Sequence, residues 1–133
     1  MKPNPDYIKR LLAAFQDSPD PYVDISKIAA AGLPTNTPEF VFHIRLLNDQ
    51  DFVQREDGKP GVGIEKVGDD YLLNTLPLRL TASGHEFAEA MNNNKAFETV
   101  KKSLVSSSIG IMKDIAVTVF KGELARHGID LGH

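Results

Sequence analysis

Apolar residues at Ile8, Leu11, Leu12 and Phe15 fall at the i, i+3, i+4, i+7 spacing of one helix face, and they predict a first helix that ends near Asp17. Asn4 followed by Pro5 opens it, because Asn satisfies an orphan amide and Pro at the first helical position gives up no hydrogen bond. Asp6 and Arg10 are spaced to pair on its outer side. Ser18-Pro19-Asp20-Pro21 is turn chemistry, and Tyr22-Val23 suits a very short strand. Asp24 caps a short second helix, with Val23 and Ile28 at hydrophobic-staple spacing and Gly32-Leu33-Pro34 as its stop. Thr37-Pro38 repeats the cap-and-proline device and starts a third helix through Asn48, with Phe40, Ile44 and Leu47 inward. Two short helices joined by the tight segment Gly32 to Asn36 make a helix-turn-helix.

Beyond Asn48 the period changes from helical to alternating. Asp51 to Arg55 reads as a strand, Glu56 to Gly61 as a turn, and Val62, Ile64 and Tyr71 to Leu80 as strand again. From Leu72 to Leu80 the even positions are Leu, Asn, Leu, Leu, Leu, which predicts one apolar face with Pro77 on the other, as an edge strand tolerates. The expected fold class is therefore α+β: a winged helix-turn-helix with a β-hairpin wing and additional C-terminal helices, divided into a winged-helix domain at 1–94 and a helical extension at 95–133. Thr81 or Ser83 caps a fourth helix, Ser83 and Glu86 having capping-box spacing, and Phe87, Ala88 and Met91 supply its apolar side. Asn92-Asn93-Asn94 ends that helix. A fifth carries Phe97, Val100 and Leu104, Ser106-Ser107-Ser108 with Gly110 breaks it, and a sixth runs from about Ile111 to Arg126. In the sixth, apolar residues cover too wide an arc for one core, so a second buried contact is implied. Ile111, Met112, Ile115, Val119, Phe120 and Leu124 are the candidate interface of a homodimer; the alternative is a helix buried centrally in an enlarged monomer.

The run Leu80-Thr81-Ala82-Ser83-Gly84-His85-Glu86-Phe87-Ala88-Glu89-Ala90 resembles the L-T-x-x-G-H-E-F-L-D-A signature of a bacterial and prophage family called domain of unknown function 2513. Asp6-Tyr7-Ile8-Lys9-Arg10-Leu11-Leu12 is similar to that family's opening, Phe42-His43-Ile44-Arg45-Leu46-Leu47 to its Y-H-L-x-L-L segment, and Phe97 with Val100-Lys101 to its W-x-x-V-K. The resemblance implies a winged-helix-like fold, a phage or mobile-element setting and no established activity, so it brings no catalytic residues with it. A longer, more acidic hairpin from Gly58 to Asp70 departs from the pattern.

Composition narrows the chemistry. With no Cys among 133 residues, disulfide scaffolds, thiolate metal sites and cysteine catalysis are excluded. No apolar run reaches the length of a membrane span and Met1 to Asp6 lacks the apolar core of a signal peptide, so a cytoplasmic protein without a membrane role is expected. His85-Glu86-Phe87-Ala88-Glu89 is one residue from the zinc-binding H-E-x-x-H helix, but Glu89 stands where the second imidazole belongs. Gly58 to Gly63 lacks the order of a phosphate-binding loop, and Ser83 with His85 has no acid to complete a nucleophilic constellation. No catalytic residue, metal or cofactor is expected.

The formal charge of −3 becomes informative when it is resolved along the chain. Residues 51–70 hold Arg55, Lys59 and Lys66 against Asp51, Glu56, Asp57, Glu65, Asp69 and Asp70, whereas a DNA-reading wing needs positive charge to neutralise phosphates. On the third helix Val41, Phe42, Arg45 and Asn48 fall outward or at the flank, and Thr35, Asn36 and Thr37 precede them. These seven are the candidate macromolecule-binding residues. Arg45 and Asn48 have the donors to read guanine and adenine, while Val41 and Phe42 beside Asp49 resemble the apolar centre of a protein contact. Phe42 and Leu46 packing against the hairpin or the extra helices is the structural alternative, and His43 is expected to pack rather than read bases. The leading expectation is a non-enzymatic regulatory or adaptor module that binds protein; the alternative is a DNA-binding transcriptional regulator. Lys95, Lys101, Lys102, Lys113, Lys121 and Arg126 on the last two helices remain a further route to nucleic acid, with Glu98 and Lys102 an expected i, i+4 pair.

Overall fold

A computed structural model describes residues 1–103 and 108–128. Among them are six helices and two small antiparallel sheets: α1 Pro5–Gln16, α2 Ile25–Ala30, α3 Pro38–Asp49, β1 Val53–Arg55, β2 Ile64–Val67, β3 Asp70–Leu73, β4 Leu78–Leu80, α4 Ala82–Met91, α5 Asn94–Lys102 and α6 Ile109–Arg126. The class is mixed α+β. Leu104, Ser106 and Ser107, assigned above to the fifth helix and its end, lie outside the described residues.

The expected caps form. The Asn4 side chain accepts from the amides of Asp6 and Tyr7, the Asp24 carboxylate from Lys27, and the Thr37 hydroxyl from Phe40. Val23 and Ile28 are both buried, as a staple requires. Asp6 and Arg10 do not pair; Arg10 Nη2 donates to the Gly32 carbonyl at 3.4 Å instead. On the fifth helix Glu98 bridges to Lys101 at 3.1 Å, one residue short of the expected Lys102.

The hairpin differs most from expectation. Its outer ladder pairs β1 with β4 in the register Val53 to Leu80, and its inner ladder pairs β2 with β3 in the register Ile64 to Leu73. The reversal falls at Gly68-Asp69, with Gly68 at φ 60°, and Glu56 to Gly61 is a kink in the outgoing arm. The even-numbered apolar face does not run through either: Leu78 and Leu80 are buried while Leu72 is exposed. The cause is the interruption at Asn74 to Pro77, where Asn74 bonds Gly63 O through its backbone amide at 2.9 Å and its side chain at 3.1 Å, so the two ladders do not share one pleat. Val23 bridges Leu78 antiparallel and adds a third, one-residue rung beside β4.

Packing and capping account for Thr81, Gly84 and Phe87 in the Leu80 to Ala90 block. Thr81, not Ser83, caps α4: its hydroxyl oxygen accepts from the Gly84 amide at 3.0 Å. The same hydroxyl donates to the Asp51 carbonyl at 2.6 Å, and the Thr81 amide donates to Phe52 O at 3.0 Å. A Cβ on Gly84 would come within 2.9 Å of the Phe52 carbonyl carbon and closer still to its oxygen, so the start of α4 sits directly on the backbone that enters β1. Phe87 is fully buried with its ring centroid 5.2 Å from that of Phe52. One hydrophobic cluster runs from Tyr7 in α1 through Phe40, Leu78 and Phe87 to Met112 in α6, and α6 packs on both α4 and α5.

Candidate macromolecule-binding site

The seven candidate residues before and along α3 do not share one environment. Thr35 is buried, Asn36 is exposed, and Thr37 is occupied as the cap of α3. Val41, expected at the flank, is only 3 % exposed. It stands one turn before Ile44, and the core extends round that side of the helix to take it in, so it is not available to a partner. Phe42 is half-buried with its ring edge-on to His43 at 5.1 Å. Arg45 is exposed, yet its guanidinium lies over Tyr71 at 5.9 Å and Nη2 donates to the Ile64 carbonyl at 3.3 Å. Asn48 donates from Nδ2 to the Val53 carbonyl at 2.8 Å. Both side chains with base-reading chemistry are therefore committed to strand carbonyls, and they tie α3 to the hairpin. Asn36, Phe42 and Arg45 remain at the surface.

His43 packs, as expected. Its Nδ1 donates to the Glu39 carbonyl at 2.8 Å and its Nε2 accepts from the Asn4 amide at 3.0 Å, which fixes a neutral ring with the proton on Nδ1. Tyr7 stacks on it at a centroid distance of 4.5 Å. Burial holds the imidazole pKa below its ordinary value, against the opposing effect of the Glu39 carbonyl. Burial also pushes the Tyr7 phenol up to about 12, with Glu39 adding to the rise.

The inner hairpin has two unlike faces. Residues directly opposite in an antiparallel ladder point the same way, so Ile64, Lys66, Tyr71 and Leu73 form one face and Glu65, Val67, Asp70 and Leu72 the other. Ile64, Tyr71 and Leu73 pack toward the core. The opposite face puts Val67, 58 % exposed, and Leu72, 50 % exposed, between two carboxylates. Neither residue stands out in the sequence: Leu72 falls on the even-numbered apolar face predicted for 72–80, and Val67 lies outside the stretches that read as strand.

The other candidates resolve as follows. On α6, Met112 is 1 % exposed and belongs to the monomer core, whereas Ile111 is 45 % exposed and Ile115, Val119, Phe120 and Leu124 are half-buried. Met112 is thus removed from the possible interface, since it points at α4 and α5 rather than away from them. His85, Glu86 and Glu89 are exposed on α4, and Glu86 bridges to Lys113 at 3.7 Å. Among the described residues no group of three or more His, Asp or Glu side chains is placed to hold a metal, and no helix is long and apolar enough to cross a membrane. The basic residues of the last helices are largely matched: Lys95 and Arg126 meet Glu123 at 3.1 and 2.8 Å, and Lys101 meets Glu98 at 3.1 Å. The Lys95 ammonium chiefly, with Arg126 behind it, holds the Glu123 carboxyl below its usual pKa. A groove of about 540 Å³ between α1 and α2 is lined by Ala13, Ala14, Val23, Ala30, Ala31 and Leu33 among others, and Lys27 of its lining bridges to Asp20 at 2.8 Å.

A family model described as "Hypothetical protein (DUF2513)" matches residues 2–110. No curated protein and no solved structure matches the chain.

Proposed function

The chain belongs to the DUF2513 family, and on that premise we propose that it is a winged-helix module of phage or mobile-element type, non-enzymatic, acting in the cytoplasm as a regulator or adaptor by binding another protein. Three helices followed by a hairpin, with the Val23 to Leu78 rung as the short first strand of a three-stranded sheet, support the winged-helix reading. In that reading β2 and β3 are the wing and α3 is the helix that a DNA-binding relative would insert in the major groove.

The observation that carries the protein-binding reading is the wing's outward face. Val67 and Leu72 are apolar, exposed and flanked by Glu65 and Asp70, on a segment with three basic against six acidic residues. An apolar centre with a charged rim suits a protein surface, and the negative rim selects a partner whose complementary edge is basic. The same charge opposes a phosphate backbone. Arg45 and Asn48, occupied by the carbonyls of Ile64 and Val53, add to the case against base reading.

Affinity purification from the native host separates this from a DNA-binding regulator. Wild-type protein is expected to retain a protein partner that Leu72→Asp and Val67→Asp lose while still folding. A duplex shift by micromolar protein at about 50 mM salt, weakening steeply as salt rises, would overturn the reading.

A further inference from the structure

We propose that α6 pairs with the α6 of a second copy of this chain, antiparallel, about a two-fold axis passing beside Val117 and Thr118. This contact is separate from the wing and does not depend on the function assigned to it.

The inner side of α6 is settled by the fold: Ile109, Met112, Ala116 and Val117 are buried against α4 and α5. At 100° per residue the opposite side carries Ile111, Asp114, Thr118, Lys121, Gly122 and Ala125, with Ile115 and Val119 along its edge. Ile111 is the most exposed large aliphatic side chain of the helix, and a shallow depression of about 300 Å³ is lined by Asp114, Ile115, Thr118 and Val119. Gly122 sits in the interior of the helix, where glycine costs about 1 kcal/mol relative to Ala, and a Cβ there would meet nothing within 4 Å among the described residues. The described residues of the monomer thus give no packing reason for a glycine at that point.

The two charges on this face identify the occupant. Asp114 and Lys121 make no ion pair among the described residues. They are seven residues apart, which places them within about 20° of each other on one edge of the face and about 10 Å apart along the axis. A two-fold axis perpendicular to the helix keeps that edge on the same side and reverses order along it. Centred between Val117 and Thr118, it brings Asp114 of each copy opposite Lys121 of the other, twice. A parallel pair would leave them at different heights. The same register lays Ile111 between Gly122 and Ala125 of the second copy and Ile115 against Val119 and Gly122, so the missing side chain at 122 leaves room for the isoleucines of the other copy. The surface is therefore self-complementary in charge and in shape, as an isologous contact requires.

Sedimentation and light scattering at micromolar concentration test the pairing on the full chain. Wild type is expected at twice the 14.6 kDa of one chain. Ile115→Glu is expected to weaken the dimer by at least about tenfold, since it buries a charge at the seam. Asp114→Lys and Lys121→Asp alone turn two attractive pairs into repulsive ones and are expected to weaken it by about tenfold each, whereas the double variant D114K/K121D restores it. Both charged positions are exposed, so helicity by circular dichroism stays at the wild-type value in all three. A wild-type monomer, a dimer indifferent to Ile115→Glu, or a double variant as weak as the single ones would each overturn the proposal. So would a monomer that captures a host protein through Ile115, because the face would then serve a different chain.

Discussion

The junction at Thr81 to Phe87 and the hairpin at Ile64 to Leu73 are both marked by glycine and polar residues, and they put those residues to opposite uses. At the junction Gly84 is where one backbone lies on another, Thr81 bonds both Asp51 and the first turn of α4, and Phe87 is sealed in the core. In the hairpin Gly68 supplies only a tight reversal with open space around it, and one face of the ladder is left to solvent. The block that reads most like chemistry, with its His-Glu pair, turns out to hold the molecule together. The segment with no chemical motif carries the exposed apolar patch. The conspicuous motif is thus accounted for at Thr81, Gly84 and Phe87 by contacts within the fold, while its His85 and Glu86 side chains stay at the surface.

The sharpest way to break this contrast is at Gly84. Gly84→Ala forces a methyl into the Phe52 carbonyl, which is backbone and cannot swing aside, so a loss of about 3 kcal/mol is expected in urea unfolding. Replacing Gly68 by Ala is strained as well, but only by its positive φ of 60°, for about 1 kcal/mol. Equal losses at the two sites would remove the distinction.

Thr81→Ala comes next. It deletes the cap and the bond to Asp51 together and is expected to cost about 1–2 kcal/mol. Thr81→Ser, which keeps the hydroxyl, is expected to recover most of that.

A smaller effect, and one with a pH signature, belongs to His43. Its folded pKa is depressed, so as the pH falls below the free histidine value of about 6.5 the unfolded chain takes up the proton first. Stability is therefore complete above that pH and declines below it, because a protonated Nε2 can no longer accept from the Asn4 amide. The depressed carboxylates Asp24, Asp57 and Glu123 run in a separate window: their contribution is lost only below about pH 4, as the carboxyls protonate. Thermal melts across the mildly acid range should show the His43 decline in wild type and a flatter profile in His43→Gln.

Much of this architecture is legible in the sequence. Caps at Asn4, Asp24 and Thr37, the staple of Val23 and Ile28, and the apolar stripe of α1 follow from local rules, and each forms where its residues predict. What failed depended on long-range geometry. The turn of the hairpin was placed at the glycines before Val62, but Asn74 and Gly63 anchor the arms so that the reversal falls at Gly68 instead. The helical wheel puts Val41 outward or at the flank because it knows only one neighbour, while α3 has the core on two sides. Arg45 and Asn48 were recognisable as donors from their chemistry, but their acceptors, Ile64 O and Val53 O, became evident only once the strands were in place.

The smallest expected stability effect lies in the inner hairpin itself. Leu72→Ser removes a half-exposed side chain that faces away from the core, so the change in unfolding free energy should stay within about 0.5 kcal/mol. Its register partner Glu65 is also outward, and no buried group loses a neighbour. Leu73→Ser, one position along and packed toward the core, should cost about 1–2 kcal/mol in the same assay. A strand whose adjacent leucines differ in this way is two-faced, with one side fixed by folding and the other under no folding constraint. If Leu72→Ser instead proved as damaging as Leu73→Ser, the outer face would be part of the monomer's own packing, and the hairpin would lose the feature that makes it the opposite of the junction.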